Sequence, residues 1–266
     1  MKRYLHVFGE IIKAWFCFPK ACFIQLARLP SRIAAKEFVT RYVDSSFLGT
    51  QSVRTSTSNP LREYFDRHTE GHGIWKWNHY FEVYQRHFSK FVDHEVNIVE
   101  IGIYSGGSLD MWKSYFGDHC HIYGVDIEKN CKCYENAYTT VYIGDQADRG
   151  FWKDFRDSAP PMDIVIDDGG HTPEQQKVTL EEMLPYLRPG GVYLCEDTHG
   201  TDNRFASYVS GLVDGLNSMG ELSAFQKCIH SLHFYPYCIV IEKQAMEPEP
   251  FSAPKHGTMW QPFFDK

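Results

Sequence analysis

Several of the signals that would settle a function quickly are missing. The eight cysteines, at positions 17, 22, 120, 131, 133, 195, 228 and 238, include no C-x2-C pair, which excludes a zinc ribbon and a thioredoxin-like redox motif. Cys131 and Cys133 have no second Cys/His pair at finger spacing and read as loop thiols. Cys195 lies in an apolar run that reads as a buried strand. Reduced thiols and a cytoplasmic protein are therefore expected. Basic charge is also short: 27 Lys and Arg against 34 Asp and Glu leave a formal charge of −7. No positive field is available to grip a phosphate backbone, and nucleic acid is not an expected partner. Long apolar runs are absent. In the opening MKRYLHVFGEIIKAWFCFPKACFIQLARLP, Glu10, Lys13 and Lys20 interrupt any hydrophobic centre and no small-residue cleavage site is evident, so neither a signal peptide nor a membrane span is expected. Internal repeats and low-complexity tracts are lacking too.

What is present divides the chain. Residues 1–60 read as a helical extension with a linker, and 61–266 as the main domain. Phe8, Ile11, Ile12, Trp15 and Phe16 recur at helical spacing with the charges off that stripe, and Pro19 marks a break. A stripe of this kind packs on the domain, packs on a second subunit in a homo-oligomer, or lies on a membrane surface as a peripheral contact; packing is the preferred reading. The turn-forming run SSFLGTQSVRTSTSNP is the linker. Gly71 and Gly73 then break an aromatic-rich stretch into two helices. From Asn97 onward, short Val/Ile/Tyr-rich runs (NIVEIGI, HIYGVDI, VYI, MDIVID, GVYLCED) alternate with amphipathic segments such as SLDMWKSYF and PEQQKVTLEEMLPYL. Each run ends on an acid, a glycine or both, as buried parallel strands do when their carboxyl ends face a ligand. The expected fold is α/β, a Rossmann-like, doubly wound, mostly parallel sheet. FQKCIHSLHFYPYCIVIEK adds an antiparallel edge turned through Pro236.

The turn in VEIGIYSGGSLDMW carries Gly102, Ser105, Gly106 and Ser108 between a strand and a helix. It is not a dinucleotide fingerprint, because a frame begun at Gly102 puts Tyr104 where the second glycine belongs, and no GK[ST] follows for a phosphate loop. Glu100 before the turn would repel a pyrophosphate and attract a sulfonium. S-adenosylmethionine fits this charge. Asp126, about 20 residues on, is placed for ribose hydroxyls, and Asp145 with Gln146 is placed for adenine. A second group ends the next strands: Asp167 and Asp168 in IDDGGH, Glu196 and Asp197 in CEDTH. Four carboxylates on neighbouring strand ends resist joint ionisation, and a hard divalent cation such as Mg2+ would relieve them. His171 next to them is a candidate general base, or else a helix cap or a donor to a carboxylate.

VEIGIYSGGSLDMW, GVDI, GDQAD, IDDGGH and CEDTH together resemble the class I, metal-dependent sugar O-methyltransferases of macrolide biosynthesis, the mycinamicin and macrocin group, and the related cephalosporin hydroxylase-like proteins. GIWKWNHYFEVY, SLHFYPYCIVIEK and KHGTMWQPF extend the resemblance from about residue 60 to the end. The resemblance implies magnesium held by Asp168, Glu196 and Asp197, with His171 as the catalytic base and Asp167 near the methyl-donor end of the cofactor. It also implies methyl transfer to a hydroxyl of a sugar or other small-molecule glycoconjugate. Trp75, Trp77, Tyr80, His199 and Trp260 are candidate acceptor walls. A metal-dependent hydrolase and a non-catalytic binding or assembly protein on the same fold are the alternatives.

Overall fold

The computed structural model describes residues 2–41, 58–200 and 203–257. The chain divides into two compact units, 1–57 and 58–266. In the first, α1 (Lys2–Cys17) gives way to α2 (Pro19–Arg41) across Phe18. A proline is tolerated at that first helical position because its missing N–H would be unpaired there anyway. None of residues 9–39 is buried. The proposed linker lies outside the described residues up to position 57, as do KHGTMWQPF from position 258 and Trp260.

The second unit starts on a capped helix. Asn59 accepts a hydrogen bond from the Arg62 N–H, and Pro60 opens α3 (Pro60–Arg67). Residues 68–79, carrying both expected glycine breaks, separate it from α4 (Tyr80–Phe88). The expected strands all form: β1 (Val96–Ile101), β2 (Cys120–Asp126), β3 (Thr139–Ile143), β4 (Met162–Asp167), β5 (Leu187–Cys195), β6 (Ile229–Tyr235) and β7 (Cys238–Lys243). Their order is β3-β2-β1-β4-β5-β7-β6. The first five are parallel, and β7 runs antiparallel to both neighbours, which leaves β6 at the edge. Helices α5 (Gly107–Phe116), α6 (Arg149–Ser158), α7 (Pro173–Met183), α8 (Arg204–Leu216) and α9 (Ala224–Cys228) complete the unit among the described residues. The doubly wound, mostly parallel sheet read from the sequence is the one observed.

Side-chain alternation along the strands sorts the core into two layers. Ile98, Ile164, Ile166, Val192 and Leu194 pack with Tyr84, Trp112 and Phe116 of α4 and α5. Val99, Ile101, Val165, Tyr193 and Cys195 pack on the other face with Trp152, Val178 and Phe205. The strand order reverses between β1, which leads to β2, and β4, which follows β3; a crevice opens where such neighbours part. All eight cysteines are free thiols. Among the described residues no helix is long and apolar enough to cross a membrane.

Candidate active site

The two loops that bound the crevice touch. Gly102, directly after β1, has φ +89°, and a Cβ there would stand 2.1 Å from the Asp168 carbonyl oxygen. Only glycine combines that backbone with that approach. The loop continues through Tyr104 at φ 49° to Gly106 at φ 79°, which caps α5. Across from it, Asp168 N–H donates to the Ile101 carbonyl (3.0 Å), carrying the β1–β4 ladder one residue past the strand. Thr172 and Gln175 form a reciprocal capping box at the start of α7, with Pro173 at N1. The cap is thus Thr172, and His171 is left exposed beside the crevice.

Alternation decides where the acids point. Glu100, Asp168 and Glu196 fall on the face covered by α4 and α5, while Asp167 falls on the opposite face. The sequence reading that gathered four carboxylates is corrected accordingly. Asp167 is buried and turned inward, accepting from Gln146 Nε2 (2.9 Å) and the Tyr193 hydroxyl (3.0 Å). Burial pushes its carboxyl up to about 7 against the pull of those two hydrogen bonds. Gln146 is a strut as well as a wall. Its Oε1 accepts from the Gly170 N–H at 2.5 Å, and a Cβ on Gly169 would stand 2.2 Å from the same oxygen. Gly169 lets the chain pass this amide, while a Cβ on Gly170 would meet the Gln175 side chain.

The other face holds a cation that the sequence reading missed. Lys76 Nζ lies 2.6 Å from Asp168 Oδ2, 3.0 Å from Glu196 Oε1 and 3.6 Å from Glu100 Oε1, with its side chain 3% exposed. The three carboxylates hold its ammonium well above the ordinary lysine range in spite of its burial, which acts the other way. Glu196 also accepts from the Tyr84 hydroxyl at 2.6 Å. Burial and neighbouring Asp168 push its carboxyl up to about 8, against the pull of Lys76. Glu100, fully buried, accepts from Ser108 Oγ at 2.8 Å. Burial raises its pKa, opposed by Lys76. It stands behind the cavity wall and does not line it, a second correction, since β1 is central and this face is covered by α5.

Asp197 turns back toward the crevice on a strained backbone, φ 53°. Its Oδ1 accepts from Trp77 Nε1 and the Tyr80 hydroxyl, each at 2.9 Å. Tyr80 is fully buried; it positions Asp197 and is not the acceptor wall expected of it. Trp77, Tyr80 and Tyr84 could have been found by one signal: W-x2-Y-x3-Y runs into a helix whose aromatic hydroxyls recur at i, i+4, a spacing that stacks both on one face.

A cavity of about 1000 Å³ unites these parts. Gly102, Ser105, Ser108, Asp126, Asp145 and Gln146 line it together with Asp168, His171, Glu196 and Asp197, and the exposed Trp75, Trp77 and His199 line it as well. Gly106 and Asp167 do not line it. Asp126 Oδ2 accepts from the N–H groups of Ile103 (2.9 Å) and Tyr104 (3.1 Å), and Oδ1 from Glu128 (2.8 Å). A carboxylate has lone pairs left for further donors, so the position remains suited to hydroxyl groups. Asp145 is exposed, with Oδ1 accepting from the Ala147 N–H.

One atom each of Asp168, His171 and Asp197 lies within 4.8 Å of the others, a spacing able to hold a metal ion. Glu196 is outside that set, and its Oε1 accepts from Lys76 and Tyr84. The donor chemistry fits a hard divalent ion: Lys76 compensates one negative charge among the carboxylates of Glu100, Asp168, Glu196 and Asp197, three of these reach the cavity, and Asp168 and Asp197 offer oxygen ligands beside His171.

Residues 99–198 match a family model described as a methyltransferase domain. The 8-demethyl-8-alpha-L-rhamnosyl tetracenomycin-C 2'-O-methyltransferase of Streptomyces olivaceus is 35% identical over 202 residues, covering 65% of this chain and 53% of that protein. Demethylmacrocin O-methyltransferase of Streptomyces fradiae is 37% identical over 175 residues, 59% and 43% of the two chains. Among solved structures, the MycE methyltransferase of the mycinamycin biosynthetic pathway, in complex with Mg, SAH and mycinamycin VI, aligns with a TM-score of 0.58 at 26% identity, covering 70% of this chain and 53% of that one. The chain spans about half the length of the curated relatives it matches. Residues 99–198 thus match a methyltransferase domain, and the chain is similar in sequence to sugar O-methyltransferases.

Proposed function

We propose that the protein transfers a methyl group from S-adenosylmethionine to a hydroxyl of a sugar or sugar-containing small molecule, with a hard divalent cation such as Mg2+ beside the acceptor. One observation carries the reading: Asp168, His171 and Asp197 converge in a cavity that Gly102 of the glycine turn, Asp126 and Asp145 also line. The relatives named above, which are sugar O-methyltransferases, support the reaction class.

Asp168 and Asp197 are the residues that would hold the cation. Glu196, expected as a third ligand, lines the same cavity but is not among the atoms that converge. When bound, such an ion aligns neighbouring acceptor oxygens and lowers the pKa of the hydroxyl to be methylated. Gly102, Ser105, Asp126, Asp145 and Gln146 would hold the methyl donor, whose S–C bond breaks as the acceptor O–C bond forms. Glu100 and Asp167 act behind that wall. Glu100 fixes Ser108 and Lys76, and Asp167 fixes Gln146.

His171 takes the acceptor proton. A nitrogen that coordinates a metal cannot also accept a proton, so the two possible duties of this imidazole exclude each other. Its Nε2 is 3.6 Å from Asp197 Oδ2 and its side chain is 43% exposed, which leaves the ring able to turn toward an acceptor. The exposed Trp75, Trp77 and His199 suit the apolar faces of a sugar ring. The alternatives, a hydrolase or a binding module, leave the glycine turn and Asp126 without a task.

The test is incubation of the chain with S-adenosylmethionine, Mg2+ and a panel of deoxysugar glycosides, glycolipids and catechols, read by mass spectrometry. A product heavier by one methylene, lost on chelation, is expected. Failure to bind S-adenosylmethionine overturns the reading; methylation indifferent to chelation removes the metal from it.

A further inference from the structure

Twelve large apolar side chains between Ile11 and Val39 are exposed, against nine in the whole of the described second unit. Soluble surfaces scatter such residues singly; a contiguous apolar surface marks an interaction site. On α1, Ile11, Ile12, Trp15 and Phe16 share one face, and Lys13 stands off it. On α2, Leu26, Leu29 and Ile33 follow helical spacing, and the row Arg28, Arg32, Lys36 at i, i+4, i+8 runs beside them. What covers this surface is indicated by charge. Residues 1–41 carry eight Lys or Arg and two Glu, a formal +6, in a chain whose total is −7. Neither helix is long and apolar enough to cross a membrane. α1, with Trp15 and Phe16 on one side and Lys13 off it, is an amphipathic helix of the kind that lies in the plane of a bilayer, and α2, apolar on more than one side, adds basic stems able to reach the headgroups.

We propose that this helical unit binds the surface of a membrane rich in anionic lipid. The inference rests on the first unit alone and stands or falls independently of the methyl-transfer reading. The full chain is tested by co-sedimentation with vesicles of phosphatidylcholine, with and without phosphatidylglycerol. Binding to the anionic vesicles, weakened by high salt, is expected. Each basic residue removed should cost about fivefold in partitioning, so the triple variant K13Q/R32Q/K36Q should lose about a hundredfold. Trp15→Glu with Phe16→Glu should abolish binding while leaving the thermal unfolding of the second unit unchanged. Equal partition onto neutral and anionic vesicles, or no binding to either, overturns the proposal. So does a chain that dimerises through this face by light scattering, becomes monomeric in the W15E/F16E variant and ignores vesicles.

Discussion

Replacing Lys76 with Met is the sharpest perturbation the structure offers. The substitution keeps the apolar stem and removes an ammonium held 2.6, 3.0 and 3.6 Å from three carboxylates. At an effective dielectric of about 20, each contact is a gross attraction of about 5 kcal/mol. Most of that is offset by the desolvation of the ions, several kcal/mol each. The net effect of breaking a buried pair by deleting one partner is about 3 to 5 kcal/mol, because the orphaned charges stay buried. K76M should therefore lose about that much stability at pH 7 without added metal, measured by urea unfolding of the full chain. Three consequences separate this electrostatic cause from lost packing. Without the ammonium, the buried acids titrate still further above their unfolded range, so the native state binds more protons than the unfolded one and the deficit shrinks as pH falls. The double variant K76M/E196Q should be more stable than K76M by about 2 kcal/mol, a coupling that independent sites do not show. Millimolar Mg2+ should stabilise K76M more than the wild type, the ion taking over part of the compensation. A K76M midpoint within about 0.5 kcal/mol of wild type, or a double variant no better than the single one, would refute the reasoning.

Other changes probe separate parts. His171→Ala should lower turnover by about 10² to 10⁴ with S-adenosylmethionine affinity unchanged in calorimetry; unaltered turnover would exclude it as the base. Gly102→Ala forces a Cβ to 2.1 Å from the Asp168 carbonyl at φ +89° and should cost more than about 2 kcal/mol in chemical unfolding; a neutral result would mean that the two loops do not touch. Glu242 accepts from His87 Nδ1 at 2.7 Å, and that hydrogen bond holds its carboxyl below the ordinary range, against its burial. A depressed acid contributes stability that is present above its unfolded pKa and lost as pH falls through its folded one. Glu242→Gln should thus cost about 1 kcal/mol at pH 7, a difference that closes at acid pH; a gap constant with pH would count against it.

The fold was readable because its strands are buried on both faces. Such strands appear as unbroken Val/Ile runs, and each here ends on a residue apolar packing does not explain, so strand ends and site were visible together. Within the site, the residues lining the cavity from the turn and the β4 and β5 ends were readable by type and position. Orientation was not. Asp167 and Asp168 are neighbours in sequence and opposites in space, since a strand turns successive side chains to opposite faces, and which face is open depends on helices elsewhere in the chain. Lys76 stayed hidden for a related reason. It lies 92 residues before Asp168 and 120 before Glu196, so charge compensation inside the cluster could not be read locally, and a metal was asked to balance what a lysine partly balances. The aromatic run around it pointed to an acceptor wall; Trp75 and Trp77 line the cavity, while Tyr80 and Tyr84 brace its acids.

The most direct measurement is titration calorimetry of S-adenosylmethionine into the full chain, in chelator and again in Mg2+, for the wild type and for D168N/D197N. One donor molecule should bind per chain in every case, and Mg2+ alone should bind the wild type but not the double variant. Absence of donor binding, or Mg2+ affinity untouched by the loss of both carboxylates, would contradict a methyl-donor cavity that includes a cation site.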